Sequence, residues 1–356
     1  MQWCIEKAPN EQLRHNMMNS VRVHPRILRA EAETLYLLDT EDGSVTPLLD
    51  LSARTPRWWR KVEKLLRLDI ALAVHASRAQ DRCDIVWAGS EKIGIPLSFL
   101  RLHKPLVVIA HHMSSPAKAR FARSTGVVDR WDGIGFISDE SREFFVDYFG
   151  VSPDRLFQYE TSKYLDKYNP QEVTCDGPIM SVGVAKRDYV TLIRALAVLP
   201  ECDAELYISS KFGDTLQKDA RIPLPTTVKI MGWVSDEELL HRYHRARFVA
   251  VPLEETTHSG AGINAVLEAS ALGKAVIATN TGGMPTFVKD GETGILVPPN
   301  DMDAWADAIR LLWTQPELAH RMGQAGRCYV QHRFSPAEVG PKINALLDNL
   351  YAQQQP

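Results

Sequence analysis

Short apolar runs alternate along this chain with longer segments in which apolar residues recur every three or four positions. The short runs have the composition of buried strands, and the longer segments have the periodicity of helices packed by one face. This alternation is typical of a parallel sheet covered by helices. The clearest runs lie at 84–89, 105–110, 133–138, 156–159, 179–183 and 204–209. We therefore predict an α/β protein built from doubly wound parallel sheets.

The chain is too long for one hydrophobic core. It has 356 residues, whereas single cores stop growing at about 250–300 residues. The polar stretch KYLDKYNPQEVTCDGP, at 163–178, carries the proline and glycine breakers of an interdomain linker. We predict a Rossmann-like domain over 1–172, a second over 173–335, and a C-terminal helix within 336–356 that packs back on the first domain.

The loop that ends at Gly262 is the strongest candidate for ligand binding. It follows a predicted strand, and ligands of parallel sheets bind beyond the carboxyl ends of the strands. The loop opens into a helix that begins at Ile263, and its last residues are Ser259, Gly260, Ala261 and Gly262. Backbone N–H groups at a helix start form an anion site, and glycines let a phosphate approach closely.

One carboxylate interrupts the helix after this loop. The helix is apolar nearly all round, which predicts burial, yet Glu268 lies in its middle. A buried carboxylate needs hydroxyls, N–H groups or a cation as partners. Glu268 therefore either binds a pair of sugar or ribose hydroxyls or holds a partner inside the protein.

Basic residues follow the first strands of the second domain. The first strand ends at Gly183, and the next loop contains Lys186 and Arg187, while Lys211 comes just after the following strand. We expect Lys186 and Arg187 to face the cleft between the domains, where charge-assisted bonds suit a diphosphate. Solvated surface charges unconnected with a ligand are the alternative.

Two adjacent histidines end a strand of the first domain. His111 and His112 follow the run 105–110, at the edge of the sheet where active-site residues of α/β folds lie. A purely structural role is the alternative. No further Cys, His or acidic residues are spaced around the pair as metal ligands, so we expect no metal.

Residues 54–74 predict one long amphipathic helix. Its basic residues between Arg57 and Arg67 lie mostly opposite an apolar face made of Trp58, Val62, Leu65, Leu66 and Ile70. Such a helix either covers the sheet with a solvated basic face or makes peripheral contact with an anionic membrane surface. The two interpretations are compatible.

Composition and charge narrow the class of protein. A net charge of −3 argues against a nucleic-acid binder. The five cysteines are scattered, without CxxC spacing or a disulfide framework, and no apolar run is long enough to cross a membrane. We predict a cytoplasmic enzyme, and the basic amphipathic helix adds the prediction of peripheral contact with the inner face of the membrane.

The segment from Ser181 to Gly326 resembles the donor domain of a known enzyme family. It contains SVGVAKRDYVTLIRAL, VKIMGWVSDEELLHRY and AVLEASALGKAVIATNTGGMPTFVKDGETGILVPPNDMDAWADAI. Together these stretches are similar to the nucleotide-sugar-binding domain of the family-four retaining glycosyltransferases, which have the two-Rossmann GT-B fold. The resemblance implies a metal-independent hexosyltransferase that uses a nucleoside diphosphate sugar as co-substrate and no other cofactor.

The resemblance also implies roles for particular residues. Lys186 and Arg187 would hold the donor diphosphate, Glu268 would bind the ribose hydroxyls, and His112 or His111 would lie at the donor sugar. The base would pack against the turn Gly232, Trp233, Val234. The first domain would bind an acceptor glycan, lipid or small molecule. We favour UDP-hexose over GDP-mannose as the donor.

Two positions depart from the family pattern. Gly260 stands where the family has the first glutamate of its E-x7-E motif, so Glu254, Glu255 or the backbone of the glycine loop takes that role. Val184 stands where an arginine is common, and Arg187 or Lys211 compensates. A non-catalytic nucleotide-sugar-binding or scaffold protein is therefore the alternative, and a GT-B phosphorylase or epimerase is a third interpretation.

Overall fold

The computed structural model describes residues 27–30, 45–48, 57–159, 165, 176–184, 186–208, 224–256 and 260–354. The chain divides into two compact units. The first comprises Met1–Glu160 with Pro336–Pro356, and the second comprises Thr161–Ser335. The C-terminal helix thus belongs to the same unit as the N-terminal half of the chain.

The described strands of the first unit form one parallel sheet in the order β2-β1-β3-β4-β5-β6. They are β1 Ile27–Ala30, β2 Val45–Leu48, β3 Ile85–Ala88, β4 Leu106–Ile109, β5 Gly133–Phe136 and β6 Leu156–Gln158. The helices of this unit are α1 Arg57–Leu66, α2 Ile70–Ala79, α3 Glu91–Leu97, α4 Pro116–Thr125, α5 Asp139–Phe149 and α12 Pro336–Ala352. The strand order reverses between β1 and β3, which places a topological switch point there.

Apolar side chains cover both faces of the central strands, as expected of a parallel sheet between two helical layers. Every residue of β3, β4 and β5 is buried. On one face Trp87 and Ile109 pack with residues of α12, among them Ile343 and Leu347. Prolines favour the first turn of a helix, which would place the start of this helix at Pro341. The helix begins at Pro336 instead, so Pro341 lies inside it.

The described strands of the second unit form another parallel sheet, in the order β12-β11-β10-β7-β8-β9. They are β7 Ile179–Val182, β8 Ala204–Tyr207, β9 Val228–Ile230, β10 Val249–Val251, β11 Val276–Thr279 and β12 Gly294–Val297. The helices are α6 Tyr189–Ala197, α7 Asp236–Arg245, α8 Ile263–Ala271, α9 Met284–Phe287, α10 Met302–Thr314 and α11 Pro316–Phe334. The two-unit α/β architecture expected from the alternation is confirmed.

The long helix predicted over residues 54–74 is wrong in its continuity. Two helices, α1 and α2, occupy this region, because Arg67 has a positive φ of 55° that a continuous helix excludes. The main-chain N–H of Leu68 turns back to the carbonyl of Glu63. Leu65 and Leu66, placed on the buried face by the sequence pattern, are 82% and 52% exposed.

None of the described helices combines the length and the apolar composition needed to cross a bilayer. Among the described cysteines, Cys83 and Cys202 are buried free thiols, whereas Cys328 is disulfide-bonded.

Candidate active site

The second sheet has its switch point between β7 and β10. From β7 the chain runs outward through β8 and β9, then returns to the other side of β7 and continues through β10, β11 and β12. At a switch point the loops leave neighbouring strands in opposite directions and open a crevice beyond the carboxyl ends. The loops after β7 and β10 are therefore the strongest candidates for a ligand site in the second unit.

The loop after β7 begins with a conformation that requires glycine. Gly183 has a φ of 108°, and a Cβ atom there would lie 2.7 Å from Nη2 of Arg187. Lys186 also has a positive φ, 57°, and its side chain is exposed. Val184, which replaces the arginine of the family pattern, is 45% exposed.

The two basic residues of this loop point in different directions. Arg187 is only 8% exposed, and its guanidinium donates through Nε and Nη2 to the carbonyl of Val182, at 3.2 and 3.0 Å. Burial lowers the pKa of Arg187, and the neighbouring Tyr189 and Tyr243 oppose this change. Arg187 therefore braces the loop, whereas Lys186 is exposed. Contact of either cation with a diphosphate stays a prediction.

Backbone and side-chain contacts join the loop after β7 to the loop after β10. The main-chain N–H of Glu254 donates to the carbonyl of Lys186 at 3.0 Å, and Nζ of Lys186 lies 3.5 Å from Oε2 of Glu254. The N–H of Asp188 donates to the carbonyl of Pro252. Glu255, the other carboxylate proposed to replace the missing glutamate, is exposed. The two loops thus form one connected edge at the switch point.

A third loop, after β11, supports the same edge. The hydroxyl of Thr281 accepts a hydrogen bond from the N–H of Thr256 at 2.9 Å and donates to its carbonyl at 3.1 Å. The hydroxyl of Thr279 accepts from the N–H of Leu253 at 2.8 Å. The two hydroxyls thus hold main-chain atoms of the described part of the β10 loop, at Leu253 and Thr256.

The helix start predicted to bind an anion is formed in the described part of the loop. Gly260 is exposed, Ala261 is buried, and Gly262 caps α8 with a φ of 80°. A Cβ atom at Gly262 would lie 2.9 Å from Cγ1 of Val251. The first N–H groups of the helix, beginning at Ile263, have no intrahelical partner and so suit an anion. Ser259 and Lys211 lie outside the described residues.

Glu268 has a partner inside the protein. It is half-buried, and its Oε2 accepts a hydrogen bond from the hydroxyl of Tyr243 at 2.7 Å. Tyr243 belongs to α7 and is 1% exposed. The tyrosine agrees with the alternative that Glu268 holds a partner inside the protein. A carboxylate oriented by this bond is also compatible with binding ribose hydroxyls. The ribose role stays a prediction.

The turn expected to receive the base follows β9. Gly232 has a φ of 47°, and Val234 is half-buried. Trp233, by contrast, is 87% exposed. A large aromatic ring in water is a natural stacking surface for a heterocycle, because every base has a π-face. Base packing at this turn also stays a prediction.

A second polar cluster lies in the first unit, at the carboxyl ends of β3 and β4. The N–H of His111 donates to Oε2 of Glu91 at 3.0 Å, and Nε2 of its ring lies 3.0 Å from the carbonyl of Gly89. Nζ of Lys118 lies 2.6 Å from Oε1 of Glu91. His112 is half-buried, and its ring centroid is 6.2 Å from that of His111.

Electrostatics keep the buried carboxylate of this cluster charged. Burial alone would raise the pKa of Glu91, but the Lys118 ammonium, followed by His111, outweighs it and lowers the pKa. The sequence pattern predicted the histidine pair at this edge but did not indicate Glu91. The available signal was a glutamate that directly follows a strand and Ser90, which caps α3. Among the described residues no group of three or more His, Cys, Asp or Glu could hold a metal ion.

The fold and the polar edges together define a class of protein. Sucrose-phosphate synthase from Thermosynechococcus elongatus superposes with a TM-score of 0.71 over 92% of this chain and 88% of that chain, at 20% identity. Anabaena Alr3699/HepE, solved in complex with UDP-glucose, gives 0.68 over 92% and 100%, at 16% identity. The protein has the GT-B fold of two-domain glycosyltransferases, as the resemblance implied.

The sequence comparisons show which glycosyltransferases the chain resembles. Residues 180–328 match the family described as "Glycosyl transferases group 1". D-inositol 3-phosphate glycosyltransferase of Corynebacterium glutamicum (strain R) is 37% identical over 266 residues, 67% of this chain and 62% of that protein. The Rhodococcus jostii enzyme of the same description is 27% identical over 272 residues, 68% and 59%. The chain is thus similar to group 1 glycosyltransferases over residues 180–328, and it spans about three fifths of the length of these two relatives.

Proposed function

We propose that this protein is a retaining glycosyltransferase that moves a hexose from a nucleoside diphosphate sugar to an acceptor hydroxyl. One observation carries the proposal: the exposed Lys186 joins the loops after β7 and β10 at the switch point, and the second of these loops leads into the glycine-capped start of α8. A cation and a helix N-terminus on connected loops suit a diphosphate leaving group.

In the proposed reaction the bond between the anomeric carbon and the diphosphate oxygen breaks, and the acceptor oxygen bonds to the same face of that carbon. The acceptor proton passes to a phosphate oxygen of the leaving diphosphate. Lys186 and the first N–H groups of α8 stabilise the charge that develops there. Arg187 acts from behind, because its guanidinium holds the carbonyl of Val182 and so keeps the loop after β7 in place.

The geometry supports Glu255 as the substitute for the missing first glutamate. Glu254 already forms an ion pair with Lys186, which engages its charge, whereas Glu255 is exposed in the same loop. N–H groups of the loop that ends at Gly262 are the remaining candidates. Glu268, oriented by Tyr243, would receive the ribose hydroxyls.

We assign the donor sugar to His112, with His111 as its structural neighbour, and the acceptor to the first unit. The histidines lie at the carboxyl end of β4, where functional residues of parallel sheets are found. A neutral imidazole both donates and accepts hydrogen bonds, which suits contact with sugar hydroxyls. The relatives named for inositol phosphate make a polyol phosphate the first acceptor to test.

A nucleotide screen by thermal shift tests the donor half of the proposal. We expect UDP and a UDP-hexose to raise the Tm in a saturable way, with the same shift after EDTA, because Lys186 and helix N–H groups replace a metal. UDP is favoured over GDP because the fold relative HepE was solved with UDP-glucose. A shift that EDTA abolishes would refute metal independence, and stabilisation by GDP and GDP-mannose alone would reassign the base.

A non-catalytic nucleotide-sugar-binding protein is the second candidate, and Gly260 in place of a glutamate favours it. The two candidates separate in one assay. Saturable stabilisation by a nucleotide sugar, without release of nucleoside diphosphate to water or to any acceptor, would establish binding without transfer. If the wild type transfers sugar, Glu255→Gln tests the role of Glu255, because it should abolish turnover while nucleotide-sugar binding remains.

We also propose a cytoplasmic protein that touches the inner face of the membrane through α1. The exposed Leu65 and Leu66 lie beside the exposed Lys61, Lys64 and Arg67, an arrangement that suits insertion between anionic headgroups. The test is sedimentation with vesicles that contain anionic lipid. Leu65→Asp should release the protein, whereas the control Leu311→Asp, which changes a leucine 37% exposed on α10, should not.

A further inference from the structure

Glu91 is a fully buried carboxylate that the proposed chemistry does not use. It is 0% exposed and is the first residue of α3, immediately after β3 and Ser90. Each of its oxygens has a different partner: Oε1 accepts from Nζ of Lys118, and Oε2 accepts from the main-chain N–H of His111. One side chain therefore connects the start of α3, the turn after β4 and helix α4.

The ring of His111 is held as well as its main chain. Its Nε2 lies 3.0 Å from the carbonyl oxygen of Gly89, and a carbonyl can only accept a hydrogen bond. The proton must therefore be on Nε2, which leaves Nδ1 as the acceptor nitrogen of the neutral ring. The edge of the ring also meets Tyr159, with centroids 6.1 Å apart. The turn that carries His111 and His112 is thus fixed from two sides.

Stability alone does not explain the buried ion pair. Taking a carboxylate and an ammonium out of water is costly, and well-packed apolar residues of similar volume are often as stabilising or more so. An apolar side chain at residue 91 would, however, leave the N–H of His111 without this acceptor. What the carboxylate supplies, and an apolar residue cannot, is the directed contact with the histidine turn.

We propose that Glu91, held by Lys118, is a positioning residue for sugar transfer: it fixes the main chain of His111 so that the ring keeps one tautomer and His112 keeps its place at the carboxyl end of β4. The proposal rests on the proposed function, because it assumes that this turn meets the reacting sugar. Its observable signature, the tautomer of His111, is independent of turnover.

The decisive variant is the double substitution Glu91→Leu with Lys118→Met, which removes the buried carboxylate and its partly exposed ammonium partner together and leaves neither charge unpaired. We expect a Tm close to that of the wild type, a kcat at least tenfold lower and a donor KM within twofold. The donor KM should change less than kcat, because the residues proposed to bind the diphosphate, the ribose and the base lie in the second unit, and only the proposed contact of His112 with the donor sugar lies on the disturbed turn. The matched control, Asp307→Asn with Arg310→Met, removes an exposed ion pair of α10 and should leave kcat unchanged.

The second readout is nitrogen NMR of the histidine rings in the full chain, with His111 identified by the loss of its signals in His111→Gln. We expect a pure Nε2–H form in the wild type and a mixture of tautomers in the double variant. A double variant with wild-type kcat and an unchanged tautomer would overturn the proposal and leave the pair with a folding role alone.

A third variant covers the case in which the double variant does not fold. Glu91→Gln keeps an oxygen for the N–H of His111 but loses the charge that holds Lys118, so we expect the same tautomer and an intermediate kcat. A kcat equal to that of the wild type in this variant would show that the charge is not needed. If the wild type turns over no nucleotide sugar, the proposed function fails, while the tautomer comparison still decides the positioning claim.

Discussion

The contact between Tyr243 and Glu268 allows a quantitative test of the donor site. Tyr243→Phe removes one oxygen from a ring that is 1% exposed and leaves the rest of the packing unchanged. The lost hydrogen bond, 2.7 Å long, ends on a carboxylate. The substitution therefore isolates the orientation of Glu268 from its charge.

The magnitude follows from the type and the burial of this bond. Hydrogen bonds to charged groups contribute about 1.5–3 kcal/mol. Because Glu268 is half-buried, water replaces part of the lost bond, and we expect the free energy of unfolding to fall by about 1–2 kcal/mol. At about 2–4 °C per kcal/mol for a domain of this size, the Tm should drop by roughly 2–8 °C.

Donor affinity should change as well. A carboxylate released on one side loses its orientation toward the ribose hydroxyls, and we expect a loss of roughly 0.7–1.4 kcal/mol, about three- to tenfold in the Kd of UDP. Titration calorimetry with UDP measures this loss, and Glu268→Gln should be weaker still. Neither variant should alter the affinity for inorganic phosphate, which lacks the ribose.

Tyr329→Phe is the matched control. Its hydroxyl donates to the carbonyl of Thr286 at 2.7 Å, in the same unit but on α11. The control should lose stability and keep its affinity for UDP. If Tyr243→Phe and Tyr329→Phe bind UDP equally well while Glu268→Gln does not, Tyr243 does not orient Glu268, and the reasoning is refuted.

Four further predictions follow from single residues. Trp233→Ala should weaken UDP binding by about 1–3 kcal/mol through lost stacking, with an unchanged Tm because the ring is 87% exposed; equal affinity would remove Trp233 from the site. Gly262→Ala should lower stability by about 1–3 kcal/mol in a denaturant titration, since φ is 80° and Val251 is too close. Lys274→Met should cost about 1–3 kcal/mol, because the buried ammonium donates to two carbonyls at the end of α7, and an unchanged denaturation midpoint would contradict this. Although burial would raise the pKa of Glu91, Lys118 lowers this pKa below the ordinary 4.5. The stability that results is present above pH 4.5 and is lost as the pH falls through the lower pKa of the folded state. Glu91→Gln should therefore flatten the acid side of the Tm–pH curve.

Several features of the second unit could be predicted from local sequence pattern. The strand that ends at Gly183, the helix that begins at Ile263 and the unusual Glu268 follow from residues close together in the chain. A strand of a parallel sheet is buried on both faces whichever strand lies beside it, so an apolar run is enough to predict it. A glycine directly before an apolar helical pattern marks the start of that helix. The expected GT-B fold needed the resemblance as well, because periodicity alone does not order the strands of a sheet.

The tertiary structure decided which side chains meet. Lys186 and Arg187 are adjacent, yet Lys186, which has a positive φ, is exposed, and Arg187 is turned inward onto Val182. Leu65 lies on α1 before the break at Arg67 and is 82% exposed, although the helical wheel of a continuous helix would bury it. One backbone torsion changes the direction of every side chain after it, and the apolar pattern carries no record of such a torsion.

The sequence pattern also could not predict which side chains distant in the chain form hydrogen bonds with each other. Glu91 and Lys118 are 27 residues apart, and Tyr243 and Glu268 are 25 apart. The sequence by itself determined that a carboxylate at Glu268 needed a partner, since an unpartnered buried charge is too costly. Only the contact of α7 with α8, and of α4 with the start of α3, decided which side chain each carboxylate meets, because hydrogen bonds form between neighbours in space and not along the chain.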